Sequence, residues 1–185
     1  MSGGHGHVDH HSNKGIALLI SVLALVLAFS ETLGKSAQTA GIAANIEASN
    51  LWAFFQAKTI RQTTMRTAAD ALQVQFAEKA PESVKKQIDA WKKTAERYQS
   101  EPETGEGRKE LAERAKVAEK KRDRSMAAYH HFELASAAVQ IAIVLASASI
   151  ITAIPALAWV AGGLGGIAVA FCVIGFWFPA VVHLF

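Results

Sequence analysis

The residue types able to do chemistry gather at two places in this sequence. GHGHVDHHS, residues 4–12, holds His5, His7, His10 and His11 beside Asp9, and imidazole nitrogens next to a carboxylate are competent ligands for nickel, copper or zinc. The small residues around them impose no fixed geometry, which describes a loosely metal-binding tail rather than a catalytic centre. Farther along, His130, His131 and Glu133 fall within one helical turn. A histidine titrates near neutral pH, so a pH-sensitive contact and a plain interfacial anchor are both open readings. Glu31 is an isolated acid at the edge of an apolar run, too little for a proton relay. The sole cysteine, Cys172, excludes an intrachain disulfide and a cysteine zinc site, and suits apolar packing. No phosphate-binding loop, dinucleotide fingerprint, zinc-protease pair or nucleophile elbow occurs. The pattern argues against an enzyme, and no cofactor is expected.

The elements that would position these residues divide sharply by composition. Residues 16–29 (IALLISVLALVLAF) carry no charge, and with residues 30–33 they reach the ~20 needed to cross a ~30 Å hydrocarbon layer. Residues 134–154 and 156–182 are also free of charge and long enough to span, with Pro155 as the break between them. Three transmembrane helices are predicted, at 15–34, 134–154 and 156–182, with 1–14 as a disordered tail. Lys14 before the first run and the small-x-small step at residues 28–30 also fit a cleaved signal peptide. Retention as a membrane helix is the preferred expectation.

Residues 35–133 hold 18 of the 19 Lys and Arg and 14 of the 16 Asp and Glu, with the signs interspersed. Mixed charge of this kind marks a solvated domain and argues against nucleic acid, which needs clustered basic residues. Ala, Gln, Glu, Lys and Arg dominate and breakers are few, so the segment reads as helical. Val84, Ile88, Trp91, Ala95 and Tyr98 follow a 4-3-4-3 spacing, one seam of a helix. Helices are predicted at about 35–79, 82–99 and 108–133, with the tip near Pro81 and EPETGEG (residues 101–107) as the second break. Their lengths, roughly 67, 27 and 39 Å, let the second and third descend end to end beside the first. The fold class expected is therefore an all-α membrane protein with three transmembrane helices and a long coiled-coil-like extramembrane domain between the first and second.

In that arrangement NLWAFFQAKTIRQ, residues 50–62, lies beside Met126 and Tyr129 of the returning helix. Trp52, Phe54 and Phe55 read as a packing layer between helices or subunits. A ligand pocket and a membrane-interface belt are the competing readings. Trp91 joins the packing set. In the membrane segments Gln140 needs a partner across helices, and Ala158, Gly162, Gly166 and Ala170 form small-x-x-x-small steps that allow close approach. The expected partner is the Ala138, Ala142, Ala146 stripe or the same helix in another copy.

NLWAFFQAKTIRQ, the charged helical segment and YHHFELASAAVQIAIVLASASIIT (residues 129–152) resemble, together, the bacterial membrane-protein family catalogued as domain of unknown function 4337. Trp52, Phe54, Phe55, Gln56, Ala57 and Lys58 carry the resemblance with residues 132–135, and it extends over residues 14 to about 180. It implies a small multi-pass protein of the bacterial envelope, in the inner membrane, and implies no activity. The basic residues Arg114, Lys116, Lys120, Lys121, Arg122 and Arg124 outweigh Lys14 across the membrane and place the helical domain in the cytoplasm. The leading expectation is a homo-oligomeric scaffold in contact with membrane lipid. The alternative is a channel or transport subunit with the third membrane helix lining a path. A regulatory anchor for an unidentified protein partner is a third.

Overall fold

The computed structural model describes residues 10–179, with the side chains of residues 10–13 and 78 outside the description. The described chain is all helical: α1 (His10–Phe76), a short 3-10 turn (Ala77–Lys79), α2 (Glu82–Gln99), α3 (Arg108–Thr152) and α4 (Pro155–Trp177). α1, α3 and α4 are long and apolar enough to cross a membrane. α1 is unbroken because no proline occurs in it, and Gly34 and Gly41 in its interior sit where Phe132 and Met126 pack closely. It ends at Ala77, whose φ of 44° is left-handed, followed by extended Ala80. The Pro81 carbonyl then accepts from the amides of Val84 and Lys85 and starts α2. Ala153, at φ 55°, ends α3, and extended Ile154 precedes Pro155 at the first position of α4. The Ser149 hydroxyl donates to the Ile154 carbonyl at 2.9 Å, pairing a polar group of the turn.

The chain forms two compact units, one of Met1–Gly41 with Asp123–Phe185 and the other of Ile42–Arg122. In the first, the core is built from small residues: Leu23 of α1, Ala135, Val139, Ala142 and Ala146 of α3, and Ala161 and Ala168 of α4. Small side chains bring helix axes together, and the gain is dispersion over many contacts rather than burial of large groups. A Cβ on Gly165 would lie 2.6 Å from Leu23 Cδ2, and one on Gly175 would lie 2.9 Å from His131 Cβ. The Ser30 and Ser136 hydroxyls meet at 2.8 Å between α1 and α3. The outside of this unit is as apolar as its inside, with Leu18, Leu25, Phe29, Val144, Ile151 and Val173 exposed.

The second unit is organised along one stripe of α1. Ala44, Ala48, Leu51, Phe55, Lys58 and Gln62 recur at the same 4-3-4-3 spacing, which continues through Met65, Ala69, Leu72 and Phe76. α2 and the first part of α3 run antiparallel to α1, one after the other along this stripe. Lys92 meets Gln73 and Ala95 meets Gln62, then Glu101 meets Lys58 and Glu119 meets Trp52. Leu111, Ala115 and Ala118 of α3 complete the core around Ala48 and Leu51.

Candidate functional site

NLWAFFQAKTIRQ builds the most polar interior of the chain. Lys58 is 6% exposed although it is a lysine. Its Nζ lies 3.5 Å from Glu101 and 3.8 Å from Glu106. The ammonium also stands 5.4 Å from the centre of the Phe54 ring and 5.1 Å from that of Tyr98. Ring faces and carboxylates together replace its lost water. One turn on, the Arg108 guanidinium lies 4.9 Å over Phe55 and donates to the side-chain oxygens of Gln62 and Gln99. Gln62 in turn donates to the Ala95 carbonyl at 2.9 Å. Trp52 packs edge-on against Phe55 and its indole N–H donates to Glu119 at 2.9 Å. These aromatics lock α1 to α2 and α3. Trp91 sits half-buried on the inner stripe of α2.

The lengths of the helices put Met126 and Tyr129 beside this stretch, and that placement is corrected. The neighbours are Leu111, Ala115, Ala118 and Glu119, earlier turns of α3, while Met126 lies under Gly41, where a Cβ would come 2.8 Å from its sulfur. Length arithmetic fixes which helices run together and leaves their register open. Lys58, Gln62 and Arg108 were not singled out as interior polar residues by sequence reasoning. The available signal was that 51, 55, 58 and 62 share one seam, so a lysine and a glutamine fall on the packed face.

The break between α2 and α3 is held by Glu110. Its carboxylate accepts from the Ser100 hydroxyl at 2.6 Å and the Glu101 amide at 3.1 Å. Gly107 fits beneath because a Cβ there would collide with Glu110, the Glu101 amide and Ser100. Gly105, at φ 67°, takes a conformation that favours glycine. The Ser100 hydrogen bond is the largest influence holding the Glu110 carboxyl below its ordinary value near 4.5; burial opposes it, and the Glu101 amide and Lys109 add to the lowering. A depressed carboxyl contributes stability that is complete above its unfolded pKa and lost as pH falls through the folded one. Acidification below about 4.5 is therefore expected to open this loop. NMR signals of the Gly105 and Gly107 amides should follow that titration in the wild type and not in Glu110→Gln; identical titrations would contradict it.

In the first unit the His130, His131 and Glu133 group separates. His130 is exposed, with Nδ1 3.6 Å from Glu133. His131 is 1% exposed, stacks on Phe171 at 6.2 Å and has no hydrogen-bond partner for Nδ1 among the described residues. It belongs to the packed stripe of α3 that continues through Ala135, Val139, Ala142 and Ala146. Glu133 also accepts from the Tyr129 hydroxyl at 3.3 Å, and its charge pushes that phenol above the ordinary range. Gln140 donates to Glu31 on α1 at 3.4 Å. Serines 30 and 136, Glu31, Lys35, Tyr129 and Glu133 line a groove of about 310 Å³ between α1 and α3.

The close approach of α4 falls on a different face from the one its spacing predicts. Ala161, Gly165, Ala168 and Gly175 are buried against α1 and α3. Gly162 and Gly166 have nothing within 4 Å of a built Cβ among the described residues, and Ala170 is exposed beside them. Ala158 is half-buried. Two small-residue faces run along this helix, and the described residues of the chain pack against only one. His5, His7 and Asp9 lie outside the described residues, as do the side chains of His10 and His11. Among the described residues no cluster of three metal-ligating side chains occurs.

The fold and these surfaces define an all-helical chain with three helices capable of crossing a membrane and a charged helical unit joined by polar and aromatic packing. The family model described as Domain of unknown function (DUF4337) matches residues 12–178, and the chain belongs to that family. No curated protein and no solved structure matches it.

Proposed function

We propose that this chain is a non-enzymatic integral membrane protein of the bacterial inner membrane whose copies assemble into a structural scaffold. α1, α3 and α4 cross the bilayer, and residues 42–122 form a coiled-coil-like domain in the aqueous phase on the cytoplasmic side. The apolar exterior of the first unit suits lipid. Trp159 and Trp177, both exposed, lie about 27 Å apart along α4, close to the ~30 Å of hydrocarbon that aromatic belts bracket.

The observation that carries the assembly is the outward glycine face of α4. Gly162 and Gly166 keep backbone accessible at a depth where small residues serve helix–helix approach, and no helix of the same chain approaches them among the described residues. Replacing both by leucine is expected to reduce the subunit number measured by size-exclusion light scattering in mild detergent, with helix content unchanged. An unchanged subunit number would count against this face.

The same face supports a second reading, a channel subunit in which α4 lines a path through a ring of copies. Purified protein in liposomes that releases a trapped dye would favour it. Liposomes that stay sealed under stretch, voltage and pH change would remove it.

A further inference from the structure

α1 carries a second seam, opposite the one that binds α2 and α3. Ile46, Ala53, Ile60, Thr67 and Val74 recur every seventh residue, and Asn50, Ala57, Thr64 and Ala71 fall between them at the same interval. All are exposed; Ile46, Ile60 and Val74 are 55%, 67% and 82% exposed. None is charged. A helix face left to water ordinarily carries its charge there, as α2 does with Lys85, Lys86, Lys92 and Lys93. A strict seven-residue repeat keeps a face turned toward a partner helix over several heptads, whereas a solvent face has no reason to hold that period. A shallow groove of about 580 Å³ runs along this seam by Ile60, Thr64, Thr67 and Ala71.

The geometry points to a second copy of this chain as the occupant, bound in parallel and in register through α1. This rests on the proposed membrane assembly, since two copies inserted the same way in one bilayer present their α1 helices in the same direction. In register, each position meets its twin. The Asn50 amide can both donate to and accept from the partner's Asn50, and an amide set among the apolar and threonine positions of this seam is a device that fixes register. The flanking positions are compatible. Gln56 faces the partner's Arg61 and Asp70 faces the partner's Gln75, so no like charges meet.

The seam is ~42 Å long and ~10 Å wide, so the pair covers on the order of 840 Å². That is below the ~1,200 Å² of most stable interfaces. The contact therefore depends on both copies being held in one membrane, where confinement raises their effective concentration.

Single cysteines at Ile46 and Val74, placed separately in a full-length Cys172→Ser background and reconstituted in liposomes, test this by oxidative cross-linking. A parallel pair in register links each position to its own twin. An antiparallel pair can do so at one of the two at most. Ala53→Cys and Thr67→Cys repeat the test one heptad inward, with helix content checked by circular dichroism.

Self-linking at both ends is the expected result. Linking at one end or neither, in a protein that light scattering finds oligomeric, would overturn the seam and leave the scaffold standing. Absence of linking in a protein that is monomeric would remove both.

Discussion

Gly165→Leu is expected to destabilise the helical unit of Met1–Gly41 and Asp123–Phe185 by about 3 kcal/mol, the scale of an overpacked core. A Cβ alone would already collide with Leu23, at 2.6 Å from its Cδ2, and a leucine needs three further carbons where α1 lies. Leu23 is 2% exposed and enclosed by Ala135, Val139 and Ala161, so it has little room to turn aside. Gly162→Leu, three residues earlier and away from the described helices of its own chain, should leave the same unit within about 0.5 kcal/mol once copies are separated in detergent. Denaturation by SDS titration, followed by circular dichroism, measures both. Equal losses would mean that α4 presents a different face to the bundle.

Lys58→Met carries the second large effect. It keeps much of the length of the side chain and removes the charge, so Glu101 and Glu106 lose their shared cation and the rings of Phe54 and Tyr98 lose theirs. Breaking a fully buried pair costs about 3–5 kcal/mol. Glu101 is 21% and Glu106 is 51% exposed at the side chain, and water screens what they lose, so about 2 kcal/mol is expected. Glu106→Gln alone should change stability by less than about 0.5 kcal/mol, because its ion pair is long and half in water. Thermal melting of the full chain distinguishes the two. A Lys58→Met protein as stable as the wild type would show that the aromatic layer holds without the cation.

Much of the architecture was open to sequence reading because it follows from local chemistry. Pro81 and Pro155 mark starts of helices, charge-free runs mark the helices able to cross a membrane, and the glycines and proline of EPETGEG mark a break. Register is a different matter. Whether Gly165 or Gly166 faces inward depends on where Leu23 stands on another helix, and a glycine-rich stretch offers both faces equally. The split between His130 and His131 follows the same logic, since adjacent residues differ by about 100° around a helix and only the packed partner decides which is enclosed.

The interior polar residues were the least visible. Lys58 and Gln62 look like surface residues by type, and their burial depends on partners more than thirty positions away: the Tyr98 ring and Glu101 for Lys58, the Ala95 carbonyl for Gln62. Trp52 and Phe55 gave the opposite case. Their helical spacing alone signalled a packed layer, and Glu119 gives the indole N–H its partner.

The number of chains held together in a lipid bilayer tests the proposed assembly most directly. Native mass spectrometry of the full-length wild-type protein released from lipid nanodiscs counts them. Two or more copies of the 19.8 kDa chain are expected. A single copy at micromolar protein, with the helices intact, would contradict it.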